Sequence, residues 1–259
     1  MLTGKTALVT GSTSGIGLGL ARALAAQGAS LILNGFGDAD AARAEIAGLV
    51  QGGARVGFHG ADLGRAADIA DLMSYAASEF GGVDVLVNNA GIQHVAPVEE
   101  FAPERWDAVI ALNLTAAFHT TRLALPAMRE RNWGRIVNVA SVHGLVASTG
   151  KAAYVAAKHG LVGLTKVTAL ETARTGVTCN AICPGWVLTP LVEKQVQARA
   201  ERDGTDVATA RVALLSEKQP SGEFVTTEHL GELLVFLCGA AGSQVRGVAW
   251  TMDGGWTAQ

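Results

Sequence analysis

The chain is poor in charge and in cysteine, and it has no long basic run. Only 17% of its 259 residues are Asp, Glu, Lys or Arg, against 49% hydrophobic residues, a balance that excludes a disordered chain or a coiled coil. A net charge of −3 with scattered lysines and arginines leaves no footprint for nucleic acid or an anionic membrane surface. The three cysteines, Cys179, Cys183 and Cys238, are odd in number and form no Cys-x-x-Cys pair, so they read as reduced thiols of a cytoplasmic protein. Cys179 and Cys183, in an apolar strand-like stretch, read as core. The histidines at 59, 94, 119, 159 and 229 lack metal-ligand spacing, and no metal is expected. No stretch is expected to span a bilayer. Met1-Leu-Thr-Gly-Lys5 enters a strand-like run without the pattern of a secretory leader, and no repeat or low-complexity linker divides the chain. The expectation is one domain with a large core, and its partner is a small molecule.

What is present is a repeating order of short apolar runs and amphipathic stretches. Lys5–Thr10 reads as a buried strand, Gly11-Ser-Thr-Ser-Gly15-Ile-Gly17 as a turn, and the spacing of Ile16, Leu20, Ala23 and Leu24 as a helix. Strand, glycine turn and helix is the order a dinucleotide site requires, although Gly-x-x-x-Gly-x-Gly differs from the general Gly-x-Gly-x-x-Gly form. Ser30–Asn34 completes a β-α-β unit. After it stands Asn34-Gly-Phe36-Gly-Asp38, with no Lys or Arg to meet a 2′-phosphate and no strand-end acid for the ribose. That favours NAD over NADP, with Asp38 as one alternative ribose ligand.

The order continues through a helix at 39–51, a strand at 54–59 with the loop Ala61-Asp62-Leu63, a helix at 65–80, and the strand Val83–Val87. That strand ends in Asn88-Asn-Ala-Gly91, small residues that admit a flat ligand. A long helix is expected from Pro103 to Arg131 with Asn113 in its middle, then a strand at 134–140 ending on Ser141, and a helix stopped at Gly176. Strands at 177–183 and 247–252 and a helix at 226–240 follow. Residues 190–223 read as one or two lid helices inserted before that last helix.

Tyr154 and Lys158 are four apart, so on a helix the phenol and ammonium share a face. A tyrosine partly ionised near pH 7 needs about 4 kcal/mol of preferential stabilisation of its phenolate. A neighbouring ammonium in a dry site supplies much of it.

Thr10-Gly-x-x-x-Gly15-x-Gly17, Asn88-Asn-Ala-Gly91, Asn113, Ser141, Tyr154-x-x-x-Lys158 and Pro184-Gly185 together resemble the short-chain dehydrogenases/reductases over nearly the whole chain. The resemblance implies a single-domain α/β Rossmann-type fold, a doubly wound seven-stranded parallel sheet with a helical substrate lid, and a homotetramer. It implies Tyr154 as the acid/base, Lys158 as the residue that lowers its pKa and holds the nicotinamide ribose, Ser141 as the hydroxyl orienting the reacting oxygen, and Asn113 as the positioner of a relay water. For the NAD cofactor it implies contacts from Gly11, Thr13, Ser14, Gly15, Ile16, Gly17, Phe36, Asp62, Leu63, Asn89, Ala90, Gly91, Tyr154, Lys158, Pro184, Gly185, Val187 and Thr189.

Gln93, His143, Lys151, Trp186, Gln195, the segment Glu217–Ser221 and Trp256 resemble the branch of that family acting on (R)-3-hydroxybutyrate. A small hydroxy acid brings a carboxylate that needs donors around it. Lys151 offers a counter-charge, His143 a donor beside Ser141, and Gln93 and Gln195 neutral amides. Trp186, Leu214 and Trp256 offer apolar surface to a short chain. Two alternatives stay open: a reductase of other substrates such as 3-oxoacyl thioesters, and a nucleotide-binding sensor without turnover.

Overall fold

The computed structural model describes residues 1–258. Its strands are β1 Thr6–Val9, β2 Ser30–Leu33, β3 Val56–Phe58, β4 Val85–Asn88, β5 Gly134–Val139, β6 Val177–Pro184 and β7 Ala249–Met252. All pair in parallel in the order β3-β2-β1-β4-β5-β6-β7. Strands buried on both faces are largely apolar, and every residue of β1, β4, β5 and β6 is buried, with polar side chains such as Asn88 and Asn138 paired to each other.

The helices are α1 Gly15–Ala26, α2 Ala39–Ala47, α3 Ala66–Phe80, α4 Pro103–Ile110, α5 Ala116–Glu130, α6 Ala152–Glu171, α7 Pro190–Asp203, α8 Val207–Ser216 and α9 Thr227–Cys238. One core lies between the sheet and α1, α2 and α9, around Leu20, Leu24, Leu33, Val87 and Leu234. The other lies beneath α3, α5 and α6, around Leu8, Leu72, Leu86, Met128 and Ile136. This is the doubly wound sheet expected from the sequence. Its strand order reverses between β1 and β4, which opens a crevice at their carboxyl ends, the place where open α/β sheets bind ligands.

Three expectations need correction. The long helix is not uniform: Ala111–Thr115 is a π-helical turn centred on Asn113, so α4 and α5 flank a local widening. The run Pro103–Glu130 is also, against expectation, long and apolar enough by composition to cross a bilayer. It lies instead along α3 and α6 and buries Ala116, Ala117, Ala124 and Met128 against the protein. Finally, α6 stops at Glu171, short of Gly176, where the backbone tightens to i→i−3 bonds, Ala173 N to Leu170 O at 3.2 Å and Thr175 N to Thr172 O at 2.9 Å.

Gly176 serves packing instead. A Cβ there would stand 1.9 Å from Asn132 O, while Gly176 N donates to Asn132 Oδ1 at 2.8 Å. Gly176→Ala should therefore destabilise the protein by about 2 kcal/mol or more, read as a lowered thermal midpoint with an unchanged cofactor-binding edge.

Candidate active site

A cleft of about 880 Å³ runs along the carboxyl ends of β1, β4, β5 and β6. The glycine turn forms one end. Gly11 and Gly15 take φ values of 62° and 55°, which favour glycine, and a Cβ on Gly17 would lie 2.2 Å from Gly11 O. Ser14 makes no side-chain cap to α1, and the first turn of α1 holds no acid, so its N–H groups are free to meet an anion. Thr13, Ser14, Ile16, Phe36, Leu63, Asn89, Ala90 and Gly91 line the same end. The donor set and the glycine cradle fit a dinucleotide pyrophosphate.

The adenosine end is built differently from the expectation. Asn34, where an acid commonly stands, turns inward: its Nδ2 donates to His59 O and Ala61 O, each at 3.0 Å. Asp38 caps α2, its Oδ1 accepting from Ala41 N at 2.9 Å. Gly37 N donates to Thr13 Oγ1 at 3.2 Å, which folds the loop 35–38 onto the glycine turn. Asp62 is not part of the cleft wall, because its carboxylate closes a turn onto Gly64 N at 2.9 Å.

The middle of the cleft brings Ser141, Tyr154 and Lys158 together. Ser141 caps a 3₁₀ turn, Val142–Gly144, by accepting from His143 N at 3.1 Å. α6 carries Tyr154 and Lys158 one turn apart, and the lysine Nζ lies 5.6 Å from the phenol ring centre. Lys158 was expected to lower the Tyr154 pKa, and its ammonium does stand beside the ring. Burial raises the phenol, and the Ser141 hydroxyl is the group that opposes the rise. Lys158 is itself desolvated, pushed down to about 8, and its Nζ donates to Val139 O at 2.7 Å.

Asn113 lies behind the cleft, beside a pocket of about 10 Å³ also lined by Thr10, Asn88 and Thr120. Both amide atoms hold the loop after β4: Ile92 N donates to Oδ1 at 2.8 Å, and Nδ2 donates to Ile92 O at 2.9 Å. A buried asparagine inside a helix is explained by this paired use.

The far end gathers Gln93, His143, Lys151, Pro184, Gly185, Trp186, Val187, Thr189, Gln195 and Trp256. Trp186 and Trp256 meet at 6.1 Å between ring centres, and Lys151 Nζ stands 5.7 Å from the Trp186 ring. Leu214 does not reach the cleft. It packs with Val192, Val196, Ala200 and Ala210 in a small core of α7 and α8. The feet of that excursion are joined by Val187 and Val225, which pair as a bridge, and by the buried Gln219, whose Oε1 accepts from Trp186 N at 2.8 Å. Gln219 belongs to the Glu217–Ser221 segment singled out in the sequence, whereas the apolar liners Ile92, Val95 and Val142 were missed. Nothing in their local pattern separates them from core or loop residues.

A short chain dehydrogenase family profile matches residues 5–200. The chain belongs to the short-chain dehydrogenase family, and the catalytic scaffold above is that of a dehydrogenase or reductase using a nicotinamide cofactor. It is 71% identical over 259 residues to a D-beta-hydroxybutyrate dehydrogenase of Cupriavidus necator, covering 100% of both chains. It is 52% identical over 258 residues to a D-beta-hydroxybutyrate dehydrogenase of Rhizobium meliloti, covering 98% of this chain and 99% of that one. The solved structure of L-sorbose reductase from Gluconobacter frateurii, complexed with NADPH and L-sorbose, is similar with a TM-score of 0.94 and 30% identity, covering 100% of this chain and 98% of that one.

Burial is the largest cause depressing His143, from 6.5 to about 4, with Lys151, Lys218 and His159 adding to it. Between those values the unfolded chain binds more protons than the folded one, so this stability is present above pH 6.5 and is lost as pH falls through about 4. Urea midpoints across that window should fall more steeply for the wild type than for His143→Gln. Parallel curves would remove His143 as a source of the acid sensitivity.

Proposed function

We propose that the protein is an NAD-dependent dehydrogenase interconverting (R)-3-hydroxybutyrate and acetoacetate, with Tyr154 as its acid/base. The observation that carries the reading is Lys151. It is desolvated enough to lower its pKa, and it stands at the N-terminal cap of α6, where a cation opposes the helix dipole. A lysine in that place costs stability unless an anion shares it. A carboxylate held there would lie in the same cleft as Ser141 and Tyr154, where the hydroxyl of a short hydroxy acid must react.

In this reading Gln93, Gln195 and His143 surround the carboxylate end, and Trp186 and Trp256 wall the short apolar chain. Tyr154 takes the hydroxyl proton, Ser141 hydrogen-bonds the oxygen as its charge develops, and Asn113 positions a relay water. Lys158 holds the nicotinamide ribose. A bound oxidised nicotinamide supplies the hydride acceptor. Gly11, Gly15, Gly17, Asn89, Ala90, Gly91, Val187 and Thr189 hold the dinucleotide, and α7 and α8 cover the site. NAD is favoured over NADP because no cation stands in the 35–38 loop, and Arg43 on α2 faces Asp40 at 3.8 Å. The chain acts as one domain. The three free, buried cysteines accord with a cytoplasmic location, and exposed apolar residues of α5 and α6, Phe118, Val167 and Leu170, accord with a homotetramer. The charge at Lys151 also weighs against 3-oxoacyl thioesters, which bring no carboxylate to that end.

Steady-state formation of NADH should require (R)-3-hydroxybutyrate and exceed formation of NADPH in kcat/KM. Tyr154→Phe should lower kcat roughly 1,000-fold while NADH still binds, and near-normal turnover would strip Tyr154 of its role. Lys151→Ala should raise KM for the hydroxy acid roughly tenfold or more while sparing an uncharged secondary alcohol. Equal losses on both substrates would count against carboxylate recognition.

A further inference from the structure

We propose that Gln219 is the positioning residue that sets how long a hydroxy acid the cleft accepts, by holding the indole wall of Trp186 and Trp256 from behind. The inference rests on the site being that of a dehydrogenase of short hydroxy acids. Gln219 is 1% exposed and does not line the cleft. Both of its amide atoms are used on backbone: Oε1 accepts from Trp186 N at 2.8 Å, and Nε2 donates to Glu223 O. A carboxylate could not make the second bond, and an apolar side chain could make neither. The amide thus pins the residue carrying one indole to the returning foot of the α7 and α8 excursion. There Val225 N donates to Trp186 O at 2.9 Å.

The chain on the approach to each indole makes room for this one side chain. Gly185 directly precedes Trp186, and a Cβ on it would stand 2.5 Å from Gln219 Oε1. Gly254 lies just before Trp256 in the turn after β7, and a Cβ on it would stand 2.6 Å from Gln219 Cγ and 2.2 Å from Ser221 Oγ. Ser221 N donates to Gly254 O at 2.9 Å, and Gly185 N donates to Met252 O at 3.0 Å. The end of β6, the foot at Gln219 and the turn after β7 therefore form one junction. Asp253 fixes the far side of it, its Oδ2 accepting from Thr257 N at 2.9 Å and from Thr257 Oγ1 at 2.6 Å.

The Trp186 ring has no hydrogen bond of its own to hold it. Among the described residues its Nε1 is buried without a partner, so the place of the ring is set through its backbone and its contacts with Trp256 and Lys151. Trp256 in turn lies between Trp186 and His143, with ring centres 6.1 Å and 5.5 Å away. A shift of the Trp186 backbone passes through that stack to the space left for the apolar end of the substrate. One methylene in an apolar pocket changes kcat/KM by roughly 10–200-fold, so a small displacement of the wall is read in chain-length preference. Gln219 acts through Trp186 and touches no reacting atom.

The test compares kcat/KM with NAD for (R)-3-hydroxybutyrate, (R)-3-hydroxypentanoate and (R)-3-hydroxyhexanoate in the full-length wild type, Gln219→Met and Gln219→Asn. The wild type should prefer hydroxybutyrate over hydroxypentanoate by roughly tenfold or more. Gln219→Met keeps the volume and loses both bonds. It should bring that ratio to within about threefold, through a raised KM for hydroxybutyrate, with kcat and the KM for NAD moving less. Gln219→Asn keeps the amide but is one methylene too short to reach both partners. It should shift the ratio in the same direction, and it decides the matter if the methionine variant does not fold. A wild type without the preference, an unchanged ratio in a folded variant, or an equal loss on all three acids would overturn the proposal. A wild type that forms no NADH from any of them would instead defeat the functional reading. Acrylamide quenching of indole fluorescence in the cofactor-free protein then decides the positioning role by itself. Quenching that rises in Gln219→Met, but not when the same change is made in a Trp186→Phe/Trp256→Phe background, supports it; no rise, or a rise that survives in that background, overturns it.

Discussion

The arrangement of the site depends on one buried hydrogen bond between side chains of the two central strands. Asn88 Nδ2, at the end of β4, donates to Asn138 Oδ1 on β5 at 2.8 Å. Each amide is oriented by a helix: Thr120 on α5 donates to Asn88 Oδ1 at 2.7 Å, and Asn138 donates to Thr165 on α6 at 2.8 Å. Four elements are thereby registered by groups that cannot be left unpaired without a penalty of about 1–3 kcal/mol each. Tyr154 and Lys158 ride on α6, and Asn89, Ala90 and Gly91 follow β4. The distance between the phenol and the strand edge is set beneath the cleft, not within it.

The same economy of buried amides shapes the region around the chemistry. Asn113 widens the helix by one π turn and uses both amide atoms on Ile92, while Asn34 spends its amide on the chain after β3. Gln219 does likewise for Trp186. In each case a neutral side chain satisfies backbone groups that a loop would otherwise bury alone. Charge is kept for Lys151 and Lys158, where burial lowers both pKa values.

Much of this was legible in the sequence because it repeats with a short period. The alternation of apolar runs with amphipathic stretches predicted seven parallel strands, and positive-φ glycines at 11 and 15 sit where the turn demanded them. The residues of the cleft ends were legible where they stand at strand ends, as Ser141 and Asn89 do. Leu214 and Asp62 were misplaced because an apolar residue in a surface helix, or an acid in a loop, carries no mark of the direction it faces. The segment of Gln219 was singled out, but its role was not, because its partner, Trp186 N, is 33 residues away in the chain. The π turn was hidden for a related reason: Ala111–Thr115 has ordinary helical composition, and only the partner at Ile92 makes the widening worthwhile. The spacing of Tyr154 and Lys158 reported their proximity but not that Lys158 Nζ also donates to Val139 O.

The excursion of α7 and α8 closes on a core of its own, from Val192 and Val196 across to Ala210 and Leu214, and meets the rest of the protein at two feet beside Trp186 and Val225. It contributes little to the two cores that hold the sheet. A segment built this way can move on its two feet without disturbing the strands or the phenol. The fold thus keeps the elements that carry the phenol apart from a cover that packs mainly on itself.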